Sequence, residues 1–154
     1  MAHFRRSILP WLLAAGCAAA SAAPGDQMRH LAKGMTSEST NGNQFMVIHT
    51  AADFGDALGQ TLSRATSTGS GNILSSVDFD AELVIGVMLS NRPTGCTGVD
   101  ITSIAQDGIV SVVHYRERKP RKGETCHGTL YSPFDFVVVA KTNAPVRFLQ
   151  DAEP

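Results

Sequence analysis

Seven consecutive residues, Leu83-Val84-Ile85-Gly86-Val87-Met88-Leu89, carry no polar side chain. A β-strand sends alternate side chains to opposite faces, so a run apolar at both parities leaves no face for water. It reads as a buried central strand. At seven residues it has strand length, whereas a membrane-crossing helix needs about 20 apolar residues.

The remaining elements are placed by periodicity around that run. Phe45-Met46-Val47-Ile48 is a second apolar segment of strand length, and Met28 to Met35 reads as a short edge strand. Thr50 opens a helix as N-cap, with Asp53 three positions on in a capping-box-like pair. Phe54, Leu58 and Leu62 follow at spacings of four, with Ala51 and Ala65 on or near that stripe and Asp56, Gln60 and Arg64 off it. Such an amphipathic helix packs its apolar side on a sheet. Thr36 to Asn43 and Thr66 to Asn72 are loops.

Val77-Asp78-Phe79 leads into the central strand. Alternation there sends Phe79 to the core and Asp78 and Asp80 outward or toward turn amides. Asn91 to Gly98 is rich in turn residues. Val99 to Ala105 alternates as a strand and Asp107-Gly108 signals a tight hairpin. The return strand runs Ile109 to Tyr115, with Ile109, Val113 and Tyr115 on one parity. Arg116 to Glu124 is a charged loop, Phe134 to Ala140 a strand, and Val146 to Leu149 a last short one. About six strands and one helix give an α+β, β-dominated domain: a small antiparallel sheet or sandwich with one amphipathic helix.

The first residues have the composition of a targeting segment. Arg5 and Arg6 precede an uncharged apolar stretch, Ile8 to Ala20. Two readings of its processing stand side by side. Ala20-Ser21-Ala22 is an A-x-A site, giving a signal peptide over 1–22 and a mature chain from Ala23. Leu13-Ala14-Ala15-Gly16-Cys17 resembles a lipobox, giving a signal over 1–16 and Cys17 as lipid anchor. Residues 23–44 then form an N-terminal segment and loop, and the folded domain spans 45–150, with 28 as the alternative start. Export places the chain in the periplasm, outside the cell, or on the outer membrane, where only a lipid on Cys17 would tie it to the bilayer.

Three cysteines occur, Cys17, Cys96 and Cys126. With Cys17 removed or acylated, two remain in an oxidising compartment, where a pair becomes a disulfide. The bridge would close a loop of about 30 residues, stabilising by ~3 kcal/mol in the chain-entropy picture. No C-x-x-C sequence supports a thioredoxin-like role.

Composition excludes some classes. Lys+Arg 13 against Asp+Glu 14 gives a net charge of −1, and loss of Arg5 and Arg6 brings the mature chain to −3. A nucleic-acid partner, which demands a positive excess, is not expected. No G-x-S-x-G or H-E-x-x-H string occurs, and Ser132 and His127 share a loop without a third partner, so no catalytic residues are assigned. His114, His127, Cys96 and Cys126 lack zinc-ligand spacing, because Cys126-His127 is the sole close pair and neighbours on a strand point apart. No metal or cofactor is expected.

The order of several strings resembles a known family. Val77-Asp78-Phe79, then Leu83 to Val87, then Arg92-Pro93-Thr94-Gly95, and later Leu130-Tyr131-Ser132-Pro133-Phe134-Asp135-Phe136-Val137-Val138, are similar to the PrcB C-terminal domain. That family shows a "vDF" lead-in, an apolar strand, a "PTGGY" turn, a hairpin and a "T-x-P-[YF]-x-[IV]-V" strand. The resemblance spans about residues 28–149. Where the family has Gly-Gly-Tyr, this chain has Gly95-Cys96-Thr97. With Cys126 just upstream of the late strand, the departure implies a disulfide tying the turn after the central strand to the loop before that strand.

The resemblance implies an exported, non-enzymatic protein-binding or stabilising module whose partner is a secreted or envelope protease or another protein. It makes Arg92, Thr94 and Gly95 candidates for partner contact. The basic run Arg116, Arg118, Lys119, Arg121 and Lys122 adds Arg118, Lys119 and Arg121. Two rival readings are a small metal- or redox-dependent envelope enzyme, and a binder of anionic envelope polymer through loop 116–122.

Overall fold

The computed structural model describes residues 28–37, 41–63 and 76–152. Residues 1–27, with the expected leader and Cys17, the side chains of Gln60 and Leu62, Arg64, Ala65 and the expected loop Thr66 to Asn72 lie outside the described residues. Seven strands and one helix follow in the order β1 (Arg29–Thr36), β2 (Gln44–Ile48), α1 (Ala51–Ser63), β3 (Glu82–Met88), β4 (Gly98–Asp107), β5 (Val110–Arg118), β6 (Ser132–Ala140) and β7 (Val146–Gln150). They form a four-stranded sheet ordered β1-β6-β3-β2 and a three-stranded sheet ordered β4-β5-β7. The β-dominated α+β sandwich expected from periodicity is the architecture found. Among the described residues the strands number seven rather than about six, because Arg29–Thr36 pairs along β6 as a full edge strand. One pairing departs from the antiparallel expectation: β7 runs parallel to β5.

The molecule has three layers, with the four-stranded sheet in the middle. Odd-numbered residues of β3 (Leu83, Ile85, Val87) meet Val99, Ile101, Val113 and Tyr115 of the other sheet. Even-numbered Val84 and Met88 meet Phe54 and Leu58 of α1, together with Phe134, Phe136 and Val138 of β6. The unbroken apolar run is thus the signature of a strand covered on both faces.

The helix begins as its residues dictate. The Asp53 amide donates to Thr50 Oγ1 at 3.1 Å, that hydroxyl donates to Asp53 Oδ2 at 2.8 Å, and the Phe54 amide donates to the Thr50 carbonyl at 3.0 Å. Phe54 and Leu58 are buried on the sheet. Burial of a large apolar side chain contributes roughly 2–3 kcal/mol. Ahead of β3, Asp78 turns inward on its own loop, its Oδ1 accepting the Asp80 amide at 3.1 Å, while Phe79 packs on the helix-side core.

Gly86 sits opposite Phe136 in the β3–β6 ladder. The Phe136 ring lies across the glycine, so a β-carbon there would overlap the ring edge. This close approach, rather than backbone conformation, is why the run is interrupted by a glycine.

Two apolar assignments shift. Ile109 is 82% exposed at the tip of the β4–β5 hairpin, because the turn takes both Gly108, at φ +60°, and Ile109 before pairing resumes at Val110. Phe45 is 42% exposed on edge strand β2, where its ring leans on Phe148 and Tyr115 at centroid distances of 4.9 and 5.4 Å. Both edge strands on that side of the sandwich, β2 and β7, are joined through these rings. The charged loop also starts later than expected: β5 continues through Arg118.

Candidate functional site

The β3–β6 pairing does not stop where the strands end. The Leu89 amide donates to the Pro133 carbonyl at 2.9 Å, and Arg92 and Tyr131 exchange both backbone hydrogen bonds, at 2.7 and 3.0 Å. Further out, the Gly95 amide donates to the His127 carbonyl at 3.0 Å. Beyond that rung Cys96 and Cys126 are joined by a disulfide, S–S 2.03 Å and Cα–Cα 5.4 Å. Residues 89–96 and 126–133 are therefore two rails of an arm that extends the central sheet, with a covalent staple at its tip. This is the bridge that the cysteine count and the family resemblance both implied.

The turn at the staple is set by its own side chains. Thr94 Oγ1 accepts the Cys96 amide at 3.0 Å, a local side-chain bond that favours a turn over a ladder. Thr94 and Gly95, both candidate contact residues, thus stand at the tip, with Gly95 beside the Tyr131 ring.

Arg92 has a different position. Its Nε and Nη2 grip Glu117 on β5 at 2.6 and 3.0 Å, and its Nη1 donates to the Ser90 carbonyl and hydroxyl at 2.9 and 2.7 Å. The Glu117 hydrogen bonds hold the guanidinium pKa above its ordinary value, against the opposing effect of burial. A forked, charge-assisted pair of this kind fixes geometry as well as charge. The side chain clamps the root of the arm to the end of β5.

The basic run emerges beside this clamp. Arg118 pairs in register with Gly98, where the arm returns to β4, so the run begins at the arm's base. Glu124 folds the loop back: its Oε2 accepts the Arg121 amide at 2.8 Å and its Oε1 lies 3.8 Å from Arg118 Nη1. Gly123, at φ +84°, supplies the left-handed residue that this turn needs. Arg118, Lys119, Arg121 and Lys122 are exposed. Residues about 25 positions apart in the chain, Arg92 to Gly95 and Arg118 to Arg121, are thereby gathered at one end of the sandwich.

Two polar constellations were not legible as such in the sequence. Asp135, inside an apparently apolar strand, is fully buried between the sheets. Its Oδ2 accepts the Ile101 amide of β4 at 2.8 Å and its Oδ1 lies 3.1 Å from His30 Nδ1 of β1. The one hint was a charge at odd parity in FDFVVV, a parity that proves to face the second sheet. On the outer face of the three-stranded sheet, Asp151 Oδ1 lies 2.8 Å from His114 Nδ1, and its Oδ2 accepts the Thr102 hydroxyl at 2.8 Å. Hydrogen bonds from His114 first, then Thr102, hold the Asp151 carboxyl below its ordinary range. In both constellations the carboxylate ties separate strands together. Ser132 is buried with its hydroxyl donating to Asn91 Oδ1 at 2.9 Å, a cross-link between the two rails.

At the opposite end of the sandwich a cleft of about 350 Å³ opens between the sheets, walled mainly by Ile85, Ile104, Ala105, Val139 and Ala140. Among the described residues no helix is long and apolar enough to cross a membrane. No protein-family model, no curated protein and no solved structure matches the chain.

Proposed function

We propose that this chain is an exported, non-enzymatic binding module that engages and stabilises a protein partner through the stapled arm and the basic loop beside it. The observation that carries the reading is the convergence of Thr94, Gly95, Arg118, Lys119 and Arg121 at one end of a rigid sandwich. Cross-strand pairing, the disulfide and the Arg92–Glu117 clamp hold the arm in one shape. A surface prepared in this way loses little conformational freedom when a partner docks, which favours association. In this reading Arg92 is a positioning residue and does not touch the partner. The polar pairs elsewhere, His30–Asp135 and His114–Asp151, serve strand-to-strand attachment, which supports a binding role over a catalytic one.

The resemblance to the PrcB C-terminal domain names the partner class: a secreted or envelope protease. The leader composition supplies the compartment, with Cys17 as anchor if the lipobox is the site used. The test is chemical cross-linking in the native host followed by purification of the tagged chain. A protease recovered in stoichiometric amount with the parent chain, and lost when Arg118, Lys119 and Arg121 are all changed to Glu, is the expected result. Equal recovery with the charge-reversed chain would overturn the surface, and absence of any protease at all would overturn the partner class.

One observation favours a second reading, binding of an anionic envelope polymer by the same loop. Four cations, Arg118, Lys119, Arg121 and Lys122, are exposed over residues 118–124 against one acid, Glu124, while Glu117 of β5 is held by Arg92. Retention on the polymer that falls steeply with salt, in the absence of any protein, would favour it.

A further inference from the structure

The arm tip holds three metal-type ligands in one place. Cys96 Sγ, Cys126 Sγ and a carboxylate oxygen of Glu124 all lie within 4.8 Å of one another. Sequence spacing hid this set, because Glu124 sits two residues before Cys126 whereas Cys96 arrives from the opposite rail. The carboxylate is also held in position: Oε2 receives the Arg121 amide, and Arg118 stands 3.8 Å from Oε1.

While the two sulfurs are bonded to each other they offer no thiolate to a metal. A dithiol reductant changes this. It donates two electrons and two protons, the S–S bond becomes two thiols, and the reductant closes its own disulfide. The two thiol protons then leave to solvent when a cation is bound.

We propose that the reduced arm binds one zinc ion through Cys96, Cys126 and Glu124, so that the disulfide and the metal are mutually exclusive closures of the same loop. Two thiolates and one carboxylate suit a borderline-soft, tetrahedral cation, and the sulfurs disfavour calcium or magnesium. Zinc–sulfur bonds near 2.3 Å and zinc–oxygen bonds near 2.1 Å at tetrahedral angles require the two sulfurs, once unbonded, to part to roughly 3.8 Å and the carboxylate oxygen to close on them. Glu124 is exposed and Cys126 only half-buried, so the shift falls on these two while Cys96 keeps its place. Three anionic ligands against a dication leave one negative charge, which Arg118 beside Glu124 offsets. Three protein ligands leave the fourth position to water. The site stands independently of the partner-binding reading, since it concerns a different chemical state of the arm.

The experiment uses the full chain carrying Cys17→Ser, so that the two late cysteines are its only thiols. After reduction with a dithiol and removal of the reductant under inert gas, Co(II) is titrated as a spectroscopic probe and displaced with Zn(II). One equivalent of Co(II) showing thiolate-to-cobalt charge-transfer absorption, lost on zinc addition and absent from the oxidised chain, is the expected result. Glu124→Gln should weaken zinc binding at least about tenfold. Circular dichroism follows the strands throughout. A reduced chain that keeps its strands but binds no cobalt overturns the proposal, as does one that stays unfolded with zinc in excess. Undiminished affinity in Glu124→Gln overturns the three-ligand assignment.

Discussion

The two faces of the four-stranded sheet are built on different principles. The face toward α1 is closed by apolar contact: Phe134 and Phe136 meet as tilted rings at a centroid distance of 5.5 Å, Phe54 and Phe79 likewise at 6.0 Å, and Gly86 makes room for the Phe136 ring. The face toward the second sheet is also apolar but includes a buried carboxylate. Asp135 takes the Ile101 amide next to a register shift in β4, between Ile101 and Ser103. A helix settling on a sheet needs only complementary shape. Two sheets laid face to face can slide along each other, and a hydrogen bond that is costly to leave unmade fixes where they stop. Apolar area holds all three layers together, while polar contacts between the sheets, Asp135 to the Ile101 amide, Lys33 to Asp100 and Arg92 to Glu117, set the alignment of two of them.

The largest effect should come from the helix side. Phe136→Ala removes a buried ring from a site framed by Phe134 and Gly86, and is expected to cost about 4 kcal/mol in urea unfolding. Gly86→Ala overfills the same spot and should cost about 3 kcal/mol. Because the two side chains compete for one volume, the double variant Gly86→Ala/Phe136→Leu should be markedly less unstable than the sum of the single changes. Strict additivity would show that the ring does not rest on the glycine.

Apart from Leu89 at its root, the arm lies outside both cores, so its covalent closure should matter to stability without deciding the fold. Reducing the Cys96–Cys126 bond is expected to lower stability by about 3 kcal/mol, through the freedom returned to the unfolded chain. The near-ultraviolet dichroism of the core aromatics should persist. Its loss under mild reduction would show that the arm organises the sandwich and does not merely extend it.

On the inter-sheet face, Asp135→Ala leaves the Ile101 amide buried without its acceptor and should cost about 2 kcal/mol. The diagnostic readout is hydrogen exchange: the Ile101 amide should exchange faster in the variant, while the amides of α1 keep their protection. Equal acceleration on both faces would contradict the division of labour between them.

The smallest effect concerns the outer side of the three-stranded sheet. Asp151 has a lowered pKa in the folded state, so its contribution is complete above the ordinary carboxyl pKa of about 3.9 and is lost as pH falls through the lowered value. The stability advantage of the parent chain over Asp151→Asn should therefore be constant at neutral pH and shrink only in acid. An advantage that changed between pH 6 and 8 instead would place the titration elsewhere.

Much of the framework was readable because it is local. Thr50 and Asp53 form the cap that their spacing announces, Asp107-Gly108 makes the hairpin, and Leu83 to Leu89 is buried on both sides. Ile109 departs from its alternation because the turn takes it, and Asp135 gives no sign of its partner because a single charge in an apolar run has no periodicity. The candidate site was half legible. Cys96 and Cys126 could be paired by count, and the basic run was evident, but nothing local joins Arg92 to Glu117 or brings Cys96 to Glu124.

Order along the chain was enough to place the helix, most of the strands, the pairing of the late cysteines and the double cover over Leu83 to Leu89. That β6 lies between β1 and β3, that β7 runs parallel to β5, and that an arm grows from the central sheet came from long-range closure alone. The reason is physical: side-chain alternation and capping are settled among residues a few positions apart. Strand partners and buried polar contacts instead depend on which distant surfaces exclude water together once the whole chain has closed.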